Sequence, residues 1–446
     1  MNYPNIAYIL EFVFNLRSKF QLKISKNKSE KTKYPKLNPL WAGIFADILG
    51  FTMFIPLLPS FVEDFGATEF QVGLLLSVNA LFAFIFGPYL GKLSDKYGRR
   101  PLLFISQAGT FVGFIIFAFS KNLTMLYISR IVDGIFGGNF PIAKAVIGDV
   151  VHPKDRSLAM SNVGVAHNLA NLFGPALGGL LVERFDIVGP GLFAAGLALF
   201  SMVQTAFYLE ESAPAIISKK IENWDKTILD KPNTTKSSEA HLEKSIKGNK
   251  SAIVLLIQWG LHTLAFMSVI SGVTLFGFKK LNINERDIGV IFSITGAFQI
   301  FIRYVVFYPM LKKIGELKTA KIGLMLFIPT FFIIGFVNET YQFIIILLVM
   351  SFAASSVRGV LTGLLSRSID KSIMGKVMGY SSSLDSVAQI SGPLLSTTAL
   401  TVWSLNFYGF IPAILSIGAF TLVFYKFELK DYSQENNHKD ALTKTE

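Results

Sequence analysis

Polar breaks divide this 446-residue chain into apolar stretches of nearly one length. Twelve such stretches run over residues 39–61, 70–91, 101–120, 123–149, 157–182, 189–209, 251–277, 287–311, 319–337, 340–366, 374–398 and 403–426. Each is about 20 residues or a little longer, the length that carries an α-helix across the hydrocarbon core of a bilayer. In that core only structures that satisfy every backbone N–H and C=O internally persist, so stretches of this kind are helices. The expected fold is therefore an all-α membrane protein with twelve transmembrane helices.

Composition removes the rival classes. Charged residues are 16% and hydrophobic residues 51% of the chain, where a soluble domain carries about 25% charge. Disordered chains are charge-rich and poor in aromatics, whereas this one holds 42 Phe. With no Cys at all, neither a disulfide scaffold nor a cysteine zinc site is available. No Gly-x-x-x-x-Gly-Lys-Ser/Thr run, His-Glu-x-x-His or nucleophile elbow occurs, so ATP-driven pumping and hydrolytic chemistry find no support. The expectation is a protein that is not an enzyme and needs no metal or cofactor.

The net charge of +12 would suit a nucleic-acid partner, but its placement speaks for a bilayer. With the N-terminus assigned to the cytoplasm, 33 of the 42 Lys and Arg fall in breaks on that side, five on the other, and four inside the spans. The positive-inside rule then puts both termini in the cytoplasm, and an even number of spans agrees. The excess charge orients the chain and attracts anionic lipid; no nucleic-acid partner is expected. Residues 4–16 form a short apolar run that includes Glu11. It lacks a basic leader and a small-residue cleavage site, so it does not read as a secretory signal; an interfacial helix and an unstructured tail are the two readings left open.

The chain also repeats itself. FGPYLGKL at 86–93 is echoed by FYPMLKKI at 307–314, an offset of 221, and MSNVGVAHNLANLFGP at 160–175 by MGYSSSLDSVAQISGP at 378–393, an offset of 218. A near-constant offset of half a chain marks a duplicated unit. The expected organisation is an N-terminal tail (1–38), a six-helix bundle (39–210), a polar linker (211–250), a second six-helix bundle (251–426) and a C-terminal tail (427–446), with the two bundles pseudo-symmetric. Secondary transporters built from repeats place their substrate between them near the midplane.

Three motifs carry a family resemblance. The break after the second span reads Gly91-Lys-Leu-Ser-Asp95-Lys-Tyr-Gly98-Arg99-Arg100-Pro101, the fourth span contains Arg130-Ile-Val-Asp-Gly134, and the fifth contains Gly174-Pro175-Ala-Leu-Gly178-Gly179. These resemble the signature loop, the Arg-x-x-x-Gly signature and the antiporter Gly-Pro-x-x-Gly-Gly core of the major facilitator superfamily. Ser161 and Ala170 stand where the full antiporter motif has glycines. Asp47-Ile-Leu-Gly-Phe followed by Ile55-Pro-Leu-Leu-Pro59 is similar to the first span of the tetracycline-efflux-like drug:proton antiporters. The resemblance covers about residues 39–426 and is strongest in the first half; the second-half loop Leu311-Lys-Lys-Ile-Gly-Glu316 is degenerate. It implies that Gly91, Asp95, Gly98, Arg99 and Arg100 form a gating loop, with Asp149 joining its charge cluster and another half's helix end completing it. It also implies that Arg130 takes part in proton coupling and that Gly174, Pro175, Gly178 and Gly179 bend a helix.

Charged groups inside spans are costly and functional by default. They are Asp47, Arg130, Asp133, Lys144, Arg303, Arg358 and Asp385. Asp133 follows Arg130 by three residues, so the two can pair. Lys144 follows Arg130 by 14, about four turns, which would put all three in one stripe. With spans 1 and 4 expected to line the central cavity, Asp47 is the first candidate for a proton-binding carboxylate, then Asp133 and Asp385. Burial and a nearby cation act in opposite directions on a carboxylate's hold on its proton. Arg303, Arg358, Lys144 and His167 are candidate charge partners for a substrate, His167 aligning with Asp385 across the repeat. Set against these roles, Asp133 is equally a permanent counter-ion, His167 and His262 are packing residues, and Lys144 and Arg358 snorkel to helix ends.

The resulting expectation is a monomeric secondary transporter that works by alternating access on a small-molecule substrate, with proton-coupled export of an amphipathic organic molecule. The alternatives are a uniporter or exchanger of organic anions and a transport-dead membrane receptor.

Overall fold

The computed structural model describes residues 37–151, 156–213, 249–369 and 374–425. The 4–16 run, both tails and the linker over 214–248 lie outside the described residues. Among the described residues there is no β-strand.

The first half comprises α1 (Asn38–Met53), α2 (Leu58–Phe65), α3 (Glu69–Tyr97), α4 (Arg99–Ala118), α5 (Leu123–Ile135), α6 (Asn139–Val150), α7 (Arg156–Phe185) and α8 (Val188–Tyr208). The second comprises α9 (Lys250–Ile270), α10 (Val273–Leu281), α11 (Glu285–Ile302), α12 (Tyr308–Ile314), α13 (Glu316–Ile334), α14 (Thr340–Arg367), α15 (Met374–Val402) and α16 (Phe410–Thr421). A π turn over Arg303–Phe307 joins α11 to α12. Among the described residues, ten segments are long and apolar enough to cross a membrane. The other two expected spans differ for separate reasons. Residues 123–150 are broken into α5 and α6, each too short alone, and α15 carries six serines along its length.

The packing has the two-fold symmetry that the repeat implies. α1 packs on α7 and α8 as α9 packs on α15 and α16, and α4 meets α5 and α8 as α13 meets α14 and α16. Across the halves, α7 packs on α11 and α3 on α15, again a symmetric pair. The same backbone geometry recurs at the two equivalent turns. Gly98, between α3 and α4, has φ 113°, and Gly315, between α12 and α13, has φ 81°. Both lie where a β-carbon would clash, which is why glycine survives in the degenerate second copy.

Two faces can be told apart: the basic face, which carries these turns, and the far face, which carries residues 66–68 and 282–284. One apolar cluster runs through both halves: it joins them through Phe54, Phe61, Leu75 and Phe117 and Val269, Phe276 and Phe343 on the far side, and in the second half it continues to Leu364 and Ile369 near the basic face. Toward the basic face the cluster of Leu40, Ile44, Leu102, Ile142 and Val146 belongs to the first half alone. In lipid such contacts are driven by close packing rather than by escape from water. Gly289 on α11 abuts Pro175 on α7, and Gly73 on α3 abuts Pro393 on α15, whereas Gly91, Gly164 and Gly379 on the basic-side lengths of α3, α7 and α15 meet nothing within 4 Å. The halves are sealed at the far face and parted toward the basic one.

Candidate functional site

Asp47 lies inside the first bundle. Gly43, Asp47 and Gly50 share one face of α1, and that face packs on α4 and α8: Gly43 meets Gln107 and Ser201, and Gly50 meets Phe114 and Ala194. This register turns Asp47 away from the cleft, contrary to the expectation that it lines the central cavity. Asn139 Nδ2 donates to Asp47 Oδ1 at 3.1 Å. Thr110, Gln107 and Ser201 complete the polar lining, with a void of about 10 Å³, near the smallest that takes one water.

Arg130 is 1% exposed and caged by aromatic rings, its guanidinium carbon 4.8 Å from the centre of Phe54, 5.3 Å from Phe114 and 5.4 Å from Phe117. Its Nη1 is 3.5 Å from Asp133 Oδ2, so the predicted i, i+3 pairing is present. Asn79 of α3 donates 3.0 Å to the same carboxylate oxygen and 3.1 Å to the Arg130 carbonyl. Asp133 is also within electrostatic reach of Asp47. Neither Nη of Arg130 has a hydrogen-bond acceptor among the described residues, so the rings supply much of what holds the cation, a desolvated cation–π contact being worth about 2 kcal/mol.

The break at residues 136–138 separates this group from Lys144. Phe136 packs onto Gly109, whose missing side chain leaves room for the ring, and Ser106 donates to the Phe136 carbonyl. Two consecutive glycines then let the helix end and restart. The continuous charged stripe expected over span 4 is therefore interrupted. Lys144, on α6, extends over the Phe140 ring at 4.2 Å and lies within electrostatic reach of Asp385 and Arg358 in the second half.

Those two residues form the second-half cluster. Arg358 Nη2 donates to Asp385 Oδ2 at 3.1 Å and Trp259 Nε1 to Oδ1 at 2.9 Å. The Arg358 side chain is 61% exposed, that of Asp385 16%. His167, from α7, is within electrostatic reach of Arg358. Lys144, His167, Arg358 and Asp385 thus come together in the cleft, while Asp47, Arg130 and Asp133 do not join them. Arg303 lies in the π turn, and its side chain falls outside the described part of the structure.

The loop cluster forms as the motif implies within its own half. Arg99 bonds Asp95 at 2.5 Å, Asp149 at 2.9 Å and Ser94 at 2.7 Å. Arg100 donates to the Ala206 carbonyl. Glu211, at the start of the polar linker, accepts from the backbone N–H of both Arg99 and Arg100 at 2.7 and 3.2 Å and caps α4. Gly91 stands in open space, and every described partner of this cluster is in the first half. On α7, a β-carbon at Gly178 would overlap the Met53 carbonyl, and one at Gly179 would sit 2.6 Å from the Glu285 carbonyl. Gly174 likewise abuts Thr52, and the N–H of Ala176, next to Pro175, bonds Ser293 of α11 at 3.1 Å.

Asn79, Asn139 and Trp259, which are uncharged, and Glu211, which lies outside the apolar stretches, are contacts of these clusters that a search for charges inside the spans passes over. Uncharged amides inside apolar runs were the available signal for the first two.

Comparison with known proteins agrees with this architecture. The family model described as Major Facilitator Superfamily matches residues 40–306 and 262–444. The chain is 27% identical over 354 residues to the class H tetracycline resistance protein of Pasteurella multocida, covering 78% of this chain and 85% of that one. It is 27% identical over 368 residues to multidrug resistance protein 2 of Bacillus subtilis, covering 80% and 86%. Its fold is similar to that of the human organic anion transporter MFSD10 (TETRAN), with a TM-score of 0.63 at 21% identity over 87% of this chain and 98% of that one. A two-fold all-helical architecture, an Asp95–Arg99–Asp149 loop cluster and a family match along nearly the whole described chain lead to one conclusion: this protein belongs to the Major Facilitator Superfamily, as an integral multi-pass membrane transporter and not an enzyme.

Proposed function

We propose that the protein couples proton movement to the export of a small amphipathic organic molecule by alternating access. The observation that carries this reading is the pair of halves closed at the far face and parted toward the basic face, with a partly buried carboxylate inside the first bundle. The moving bundles are residues 39–210 and 251–426, linked by 211–250, the basic face is cytoplasmic, and the unit is a monomer.

Asp47 holds the proton. Ionised, it accepts from the Asn139 amide; protonated, its oxygens accept more weakly. Asn139 is the first residue of α6, and α6 also carries Lys144 into the cleft and Asp149 to the Arg99 cluster. One 12-residue helix therefore joins the proton pocket, the cleft and the basic-face latch. A change at Asp47 is felt at α6 and passes to both other sites. The similarity to tetracycline and multidrug resistance proteins supports export. The test is purified protein in liposomes under an imposed pH gradient, with a panel of lipophilic cations and organic anions. Wild type moves protons when a substrate is added, and Asp47→Asn loses that response. Solute movement with no proton flux, unchanged by Asp47→Asn, contradicts the coupling.

A further inference from the structure

The cleft cluster has an unbalanced charge. Arg358 and Lys144 bring two cations and Asp385 one carboxylate, with His167 close by. Asp385 is already held by Trp259 at 2.9 Å and by a single Arg358 nitrogen at 3.1 Å. A guanidinium has five N–H donors; among the described residues one of those on Arg358 is bonded to a side chain, its carbon lies 6.0 Å from the centre of the Trp259 ring, and 61% of the side chain is exposed. Lys144, facing it from the other half, has no carboxylate within 4 Å among the described residues. Beneath its ammonium lies the exposed ring of Phe140.

We propose that this cluster is the substrate site and that it takes a small organic anion, whose charged group lies between Arg358 and Lys144 and whose apolar body rests on Phe140. This deepens the transport reading above and rests on it. Fork-like guanidinium donors suit a carboxylate or sulfonate, and the ammonium opposite supplies a second, point-like contact. The anion also determines whether the cleft can close. Shutting the basic face brings Lys144 and Arg358 together out of water. Empty, the cluster retains one uncompensated positive charge, which a low-dielectric site resists. With the anion bound, two cations face two anions and closure is neutral. Loaded protein therefore closes more readily than empty protein, and anion-for-anion exchange runs faster than net flux.

The test is counterflow of benzoate, 2-naphthoate and naphthalene-2-sulfonate in proteoliposomes, with tetraphenylphosphonium as the cationic comparison and calorimetric titration of the same probes in detergent. Wild type exchanges the anions. Arg358→Gln and Lys144→Gln each weaken anion binding roughly ten- to a hundredfold, as expected for the loss of a charge-assisted contact. Lys144→Gln keeps the wild-type melting temperature, since Lys144 has no described carboxylate to strand, whereas Arg358→Gln lowers it by leaving Asp385 with the Trp259 N–H alone, so Lys144→Gln is the variant that separates binding from folding. Phe140→Ala weakens 2-naphthoate more than benzoate. Exchange of tetraphenylphosphonium with no anion exchange, or wild-type anion affinity in both Gln variants, overturns the anion assignment and leaves the transport reading standing. No movement of any probe under any gradient overturns the transport reading and this inference together.

Discussion

Arg130 shows why a single buried charge deserves its own energetic account. It is among the largest fully buried side chains of the described residues, and it is held by three Phe rings and one carboxylate 3.5 Å away. Removing one partner of a buried pair strands the other, at about 3–5 kcal/mol. Arg130→Ala is therefore predicted to destabilise by about that amount, leaving Asp133 ionised without its cation and the Phe cage empty. Arg130→Ala with Asp133→Ala together restores part of the loss, because no charge is then stranded. Thermal unfolding in detergent checks both. At this scale the sequence was partly legible. A charge in an apolar run is conspicuous, and Asp47, Arg130, Asp133, Lys144, Arg358 and Asp385 all stood out. Where Asp47 points was not legible, because α1 has small residues on more than one face and its partners α4 and α8 lie far along the chain.

The elements show how the two copies of one unit have diverged. The first half pairs Arg99 with Asp149; at the equivalent positions the second half pairs Glu316 with Arg367, the same contact with its charges reversed. Burial separates their weights. The Arg99 side chain is 8% exposed and serves two carboxylates, whereas Glu316 and Arg367 are 32% and 48% exposed. Arg99→Gln is predicted to cost about 1.5–3 kcal/mol, the range for hydrogen bonds to charged groups. Glu316→Gln costs at most about 1 kcal/mol, as for surface pairs. A double-mutant cycle on each pair, read by unfolding midpoints, tests the contrast, and equal coupling energies would contradict it. The sequence marked Gly315 as the relic of the second loop but hid the reversed pair, since a motif search looks for like residues at like positions. It also hid the break in span 4. Hydropathy runs straight through 123–149, and Gly137-Gly138 reads as readily as a packing site until Phe136 is seen wedged against Gly109.

The whole molecule is a two-fold assembly with only one face shut. The half-chain offset made the symmetry legible. Which face is closed was not, because that depends on contacts between residues 103 to 225 positions apart. At the far face Ser60 donates to Glu285 at 3.0 Å, Glu69 bonds Lys279 at 2.5 Å, and Glu183 bonds Arg286 at 3.0 Å. Each half thus sends an acid from the start of its second span to the outer end of the other half's first span, through Glu69 in one and Glu285 in the other. If transport requires the far face to open, these contacts must break in every cycle. Since the chain has no Cys, a pair introduced as Ser60→Cys and Glu285→Cys forms the only disulfide available. Oxidising that pair in proteoliposomes and following substrate flux is the most direct measurement. The alternating-access account predicts that flux stops on oxidation and returns on reduction, while each single-cysteine variant is insensitive to both. Full-rate transport through the cross-linked protein would contradict it.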